Sequence, residues 1–320
     1  MLSRVAENLY WMTRYVERAE DTARLINAVT LMSLDMPGGV RFGWDTLLRV
    51  AGIDELFFKH HEQADEAAVI QFLIRDERNP NSILACITRA RENTRTFREV
   101  LPWECWEWIN ELYLYTRDNL DADLDRRRRY DVLQAVIRRR QSIVGLLSGT
   151  MSRDAAFQFL RLGRNIERAD MTSRILDVGH AVILPNGTST ATRYDDFLWM
   201  NVLKALSAYP MYRRHVSVHA DSASVIDFLL KNPFFPRTVV HCLREITEVL
   251  RTLPNPASVL AVVQDVASTL ESADPLQLSK AGLHEFSDHV QLGLAKIDAA
   301  VRYHYFRSAP STQTNIGVAA

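Results

Sequence analysis

The sequence carries one pattern twice. Arg14–Arg24 (RYVERAEDTAR) returns as Arg164–Arg174 (RNIERADMTSR), with six identities in eleven positions and three conservative replacements. Two further matches follow in the same order. Trp44–Arg49 (WDTLLR) pairs with Trp199–Lys204 (WMNVLK), and Val69–Arg75 (VIQFLIR) with Val225–Lys231 (VIDFLLK). The last match runs on through Pro80, Ser82 and Cys86 to Pro236, Thr238 and Cys242. The offsets are 150, 155 and 156. Motifs that recur in order, with offsets drifting by a loop's length, predict a tandem duplication of a unit of about 150 residues. The expected organisation is a first repeat over residues 1–150 and a second over 151–307, packed together as one domain about a pseudo-two-fold axis, with a flexible tail over 308–320. A functional site is then to be sought where the halves meet.

The 320 residues contain only 12 Gly and 11 Pro, and between them apolar residues recur at three-to-four spacing almost throughout. The expected fold class is therefore all-α, a helical bundle. Helices are predicted over 2–34, 44–51, 65–75, 81–100, 102–119, 123–148, 152–184, 195–208, 221–231, 236–252, 256–272 and 276–306, with the clearest loop at Pro185–Thr192. Basic and acidic residues nearly cancel, 38 against 39, so no global field draws the chain to nucleic acid or to an anionic membrane. No apolar run approaches a membrane span, no export signal opens the chain, and three cysteines without a Cys-x-x-Cys pair fit a reducing compartment. The expected location is the cytoplasm.

On the first helix Val5, Leu9, Met12, Val16, Ala19, Ala23 and Ile26 share one face at about 100° per residue, which is a core face. The other face mixes aromatics with charge: Glu7, Tyr10, Trp11, Arg14, Glu17, Arg18 and Asp21. The second copy repeats Arg164, Glu167 and Arg168 there but has Phe157 and Leu160 where the first has Glu7 and Tyr10. Glu20 with Arg24, and Asp170 with Arg174, read as ordinary i,i+4 pairs. Glu17 with Arg18 and Glu167 with Arg168 differ, because adjacent helical residues do not face each other and each needs a partner elsewhere. A two-fold relation makes such partners reciprocal, so we expect Glu17 near Arg168 and Glu167 near Arg18. These residues form either a structural charge network or a site where Arg14, Arg18, Arg164 and Arg168 hold a carboxylate or phosphate. A second charged run, Arg89 to Arg95, reads as a solvated face opposite Ile83, Ile87 and Ala90.

These residues resemble a known family. The opening Leu2-Ser3-Arg4 with Ala6, Glu7, Leu9, Tyr10 and Trp11, the two Glu-Arg repeats, the run Ala90-Arg91-Glu92-Asn93 and Phe235-Pro236-Arg237-Thr238 look like the alpha-E family, all-helical bacterial proteins with a Glu-Arg motif. The resemblance covers nearly the whole chain, with Thr94 where the family pattern has a small Ala. It implies no established activity. It implies association with ATP-grasp-type amide ligases, transglutaminase-like proteins and, in some bacteria, the proteasome-like peptidase Anbu, and hence peptide or amide-bond metabolism. Matched to the family motif, Glu17, Arg18, Arg91, Glu92, Asn93, Glu167 and Arg168 are its carriers here. Together with Arg14, Arg95 and Arg164 they are the candidate ligand-binding or buried charge network.

Other chemistries lack their residues. No Gly-rich phosphate loop is present, so no nucleotide cofactor is expected, and no Gly-x-Ser-x-Gly elbow occurs. Cys86 and Cys242 sit in apolar helices as inert hydrophobes, and Cys105 lies among Trp103, Trp106 and Trp108. His215 and His219 are four apart and would share a helical face with Asp221 nearby, but two ligands do not make a metal site. No metal is expected. Arg126–Arg129 and Arg138–Arg140 are the dense basic runs, with Asp123–Arg127 and Asp125–Arg129 expected to neutralise much of their charge. The functional expectation is an accessory or scaffold partner of an ATP-grasp and transglutaminase-like system, with no nucleic-acid or membrane partner. The alternative is an amide- or peptide-directed enzyme using Glu17, Glu92 or Glu167 as general base.

Overall fold

The computed structural model describes residues 2–35, 43–120, 124–183 and 191–306, with side chains for all of these but 178–183 and 191–194. Among the described residues the chain is all-helical, without strands. Its helices are α1 (Ser3–Asp35), α2 (Asp45–Ala51), α3 (Asp54–Phe58), α4 (Glu66–Ile74), α5 (Ile83–Thr96), α6 (Trp103–Asn119), α7 (Arg126–Thr150), α8 (Ala155–Ile183), α9 (Ala191–Ala205), α10 (Tyr209–His215), α11 (Ser222–Lys231), α12 (Val239–Thr252), α13 (Ala257–Ser272), α14 (Pro275–Leu278) and α15 (Leu283–Val301). No described helix is long and apolar enough to cross a membrane. The expected loop at Pro185–Thr192 falls largely outside the described residues, and α9 already begins at Ala191; the expected tail, 308–320, lies outside them too.

Side-chain caps set several helix starts. Asp65, Ser82, Asp125, Asp154, Asp221 and Thr238 each accept from a backbone N–H three residues on, satisfying a donor that the first turn leaves free. Three departures from the sequence expectation have local causes. α3 and α10 are too short to show a helical period. α5 stops at Thr96 and a 3₁₀ turn, Arg98–Val100, leads to Pro102, which disfavours helix at the residue before it. The single helix expected over 276–306 is two, because Gly282 takes φ 84° between them, a conformation glycine adopts without strain.

α1 and α8 form the centre. α1 packs on α8, α5, α7 and α9, while α8 also packs on α12, α15 and α2; α6 lies across α5 and α7, and α13 across α12 and α15. A π-helical turn, Arg302–Phe306, continues α15 and places the Phe306 ring 5.3 Å from the Tyr10 ring. Every residue of the expected α1 core face is buried. So are Tyr10, Arg14, Glu17 and Asp21 on the opposite face, so α1 is enclosed nearly all round despite its charges.

The basic runs are met differently from expectation. Arg126 and Arg129 reach Glu66 on α4 at 3.0 and 2.7 Å, Asp125 is spent on capping α7, and Asp123 lies outside the described residues. Arg139 turns to Glu111 at 3.3 Å and lies over Tyr115. The His215–His219 face does not form, because α10 ends at His215.

Where α1 crosses α8, Gly163 lets the two backbones touch: a Cβ there would collide with the Tyr10 carbonyl oxygen and with Thr13 Oγ1. Backbone atoms cannot swing aside, so Gly163→Ala should cost about 1–3 kcal/mol. Urea unfolding of this variant beside the unaltered protein measures it, and an unchanged midpoint would show that the crossing is looser than described.

Candidate functional site

The α1–α8 contact brings together two fully enclosed carboxylates. Glu167 is 1 % exposed and accepts from Arg14 Nε at 2.8 Å and from Arg18 Nε and Nη2 at 2.5 and 3.0 Å. Glu17 is 0 % exposed and accepts from Arg168 Nε at 2.8 Å. Both reciprocal pairs expected from the sequence are therefore present, with six of the candidate residues, Arg14, Glu17, Arg18, Arg164, Glu167 and Arg168, on the two central helices.

The cluster is larger than that pattern. Arg140 of α7 reaches in to grip both Glu17 and Glu20. Arg237, just ahead of α12, contacts Glu17 at 3.2 Å, Glu20 at 3.1 Å and Asp21 at 2.5 Å. Glu20 is thus no ordinary surface i,i+4 partner of Arg24: it is wholly buried and shared by three arginines. Asp170 with Arg174, at 2.9 Å and half-buried, is the simple pair the spacing implied. On the far side of Glu167, Asp298 of α15 binds Arg14 Nη1 at 2.5 Å and accepts the Tyr10 hydroxyl. Arg18 Nη1 donates to Asn81 at 2.7 Å.

Sequence reasoning missed Glu20, Asp21, Arg140, Arg237 and Asp298 as members. Arg237 carried a signal, since the repeat match runs through Pro236 and Thr238 on either side of it. Arg140 was hidden in a basic run, and Asp298 had no signal at all. The other candidates are elsewhere. Arg91 faces α6, donating to Asn110 and Glu92 at 2.7 Å each and lying over Trp106 and Tyr113. Arg95 pairs with Glu92 at 2.7 Å in a more exposed position, and Asn93 is half-buried on the same helix. The α5 core face, Ile83, Ile87 and Ala90, keeps this run away from the centre.

Electrostatics separate the carboxylates. Burial pushes the Glu167 carboxyl up, but Arg18 and Arg14 more than reverse this, taking it from an ordinary 4.5 to about 2. Asp21 goes the other way: burial outweighs Arg237 and, with Glu20 adding to it, raises it to about 6. Arg164 is pushed down to about 10 by burial, Arg168 and Arg161, against a partial offset from Glu245. The thiols of Cys86, Cys105 and Cys242 are buried, and burial raises each to about 12, which leaves little thiolate for attack. Among the described residues, metal-capable side chains gather only at Asp177, His284 and Asp288, away from the arginine cluster. There His284 Nδ1 already donates to Asp177 at 2.8 Å.

The Alpha-E family, described as "a predicted alpha-helical domain with a conserved ER motif", matches residues 1–306. No curated protein and no solved structure matches the chain.

Replacing Glu167 by Gln strands Arg14 and Arg18 in part, and should cost about 3–5 kcal/mol at neutral pH. The sign with pH follows from the depressed pKa. Its contribution is complete above about 4.5 and is lost as pH falls towards about 2, so the gap between the unaltered protein and Glu167→Gln should close over that range. Denaturant midpoints at neutral and acid pH test both parts; a gap independent of pH would disprove the charge pairing as its cause.

Proposed function

The chain belongs to the Alpha-E family, and from what that resemblance implies we propose that it is an accessory or scaffold partner in a peptide- or amide-modifying system. In this reading it docks in the cytoplasm on an ATP-grasp-type amide ligase that works beside a transglutaminase-like protein and, in some bacteria, the Anbu peptidase. It holds a carboxylate- or phosphate-bearing ligand at its Arg/Glu-rich centre. One observation carries the ligand part. Among the described residues Arg14, Arg18, Arg24, Arg140, Arg168 and Arg237 share the five carboxylates of Glu17, Glu20, Asp21, Glu167 and Asp298, so guanidinium outnumbers carboxylate, and Arg164 adds a further cation beside Arg168. Such an excess in an enclosed place calls for an anion.

We also read the chain as a duplicated unit. The three helices that pack most on α1 besides α8 have counterparts on α8: α5 and α12, α7 and α15, α9 and α2. The reciprocal Glu17–Arg168 and Glu167–Arg18 pairs support the same reading, which treats residues 1–150 and 151–307 as halves of one domain.

The enzyme alternative draws less support. A carboxyl held at about 2 is a poor proton acceptor near neutrality, and Glu17 is sealed behind three arginines. Size-exclusion chromatography of the chain mixed with an ATP-grasp-type amide ligase from the same organism tests the proposal. Co-elution at micromolar concentration is expected. Separate elution, or release of product from amide substrates by the chain alone, would sink it.

A further inference from the structure

Within the repeated Arg-x-x-Glu-Arg pattern, the two leading arginines have different company. Arg14 holds Glu167 at 2.8 Å and Asp298 at 2.5 Å. Its equivalent, Arg164, makes no hydrogen bond or ion pair among the described residues, and its Nε–H is buried without an acceptor. The cause lies on the helices that flank the pair. Where α15 offers Asp298 to Arg14, α7 offers Arg140 to the other side, and Arg140 takes Glu17 and Glu20 for itself. Arg164 is left beside other cations, Arg168 and Arg161, and Arg140 feels it as one more. Glu245 offsets this from a distance, but Arg161 holds that carboxylate at 2.6 Å.

Arg140 repeats the symptom, since its Nε–H is also buried with no acceptor. Both arginines line one cleft between α1, α7 and α8, with Arg161 beside them; the rest of the lining is largely apolar, with Ile143, Leu147 and Leu160 among it, and the Thr13 hydroxyl there already donates to the Tyr10 carbonyl at 3.0 Å. Ser148, also in the lining, is exposed, so the cleft has a mouth. Buried donors without acceptors are rare in native proteins and each asks for a partner.

We propose that this cleft binds a carboxylate, which stands to Arg164 and Arg140 as Asp298 stands to Arg14. The inference rests on the reading that the arginine-rich centre holds an anionic ligand, and narrows it to one place and one chemical class. The interior, ≈ 20 Å³, admits about one oxygen-sized group, and one carboxylate oxygen placed there has two lone pairs for the two free Nε–H donors. A planar carboxylate leaves less of itself to crowd the mouth than a tetrahedral phosphate does. A metal cation is excluded by the surrounding guanidiniums.

Thermal unfolding in chloride-free buffer, titrated with sodium acetate, tests this with Arg164→Gln alongside. Acetate should raise the Tm of the unaltered protein, and at least about a tenfold higher concentration should be needed for the same rise in Arg164→Gln. Because Arg164 lacks a carboxylate partner, that variant without acetate should melt at the same temperature or higher. Sodium chloride and inorganic phosphate serve as separate arms. An equal response to chloride, a stronger response to phosphate, an unaltered acetate response in the variant, or no response at all would each overturn the carboxylate site. The titration contains no ligase, so it can fail while co-elution succeeds; that outcome removes the site and leaves the docking reading intact.

Discussion

Two carboxylates without access to water, Glu17 and Glu167, set the terms for the rest of the molecule. An isolated ionised carboxylate in a protein interior is costly by several kcal/mol even after relaxation, so each must be met by cations with good geometry. No single helix can supply them, since adjacent residues on one helix point apart. The cations come from across the α1–α8 contact, from α7 and from Arg237 just ahead of α12. A chain in which three helices and the segment leading into a fourth must converge to neutralise two side chains has little freedom in how those helices are arranged. That is a route to specificity rather than to net stability, because a buried ion pair seldom outperforms a well-packed apolar equivalent.

The same demand explains why α1 is buried on nearly all sides. A helix enclosed all round is ordinarily apolar all round, whereas α1 encloses Arg14, Glu17, Glu20 and Asp21 with its aliphatic core face. Burying those charges also requires that water be shut out of the crossing, which close approach of the two helix backbones achieves. Gly163 meets that requirement by removing the side chain where α8 lies on Tyr10 and Thr13. Charge pairing and close packing are thus one design at the crossing, not two.

Helix class and the central pair were legible in the sequence because both depend on short-range regularities. Apolar spacing reports the core face directly, and the repeated Arg-x-x-Glu-Arg pattern reported its reciprocal contacts through the geometry of a two-fold relation. What was illegible depends on tertiary company. Glu20 and Arg24 satisfy an i,i+4 rule on any helix, and nothing local says that Arg140 and Arg237 also arrive there. Asp298 is one acidic residue on an amphipathic helix until α15 is seen to lie on α8. Conversely, the Arg91–Arg95 run had the composition of a site but sits on the wrong side of α5, where Glu92 pairs with both arginines and Trp106 and Tyr113 pack on Arg91.

If the two halves descend from one unit, the positions that differ between them are more informative than those that agree. Glu17 and Glu167, with Arg168 and Arg18, satisfy the same bond in both halves and need no further explanation. Asp298 on α15 and Arg140 on α7 bring opposite charges to the two sides of the central pair, and the difference propagates. Arg140 gathers Glu17 and Glu20 into a tighter cluster, and Arg237 completes that cluster with Asp21. Arg164 is the remainder, a cation displaced from the carboxylate its partner enjoys. Selection for stability alone would remove such a charge, since a neutral side chain would do better there. Half-buried, with its Nε–H closed off from any acceptor, Arg164 is what makes part of a structural network a candidate binding site, and the side of the molecule where the two halves differ in charge is the place to seek a ligand.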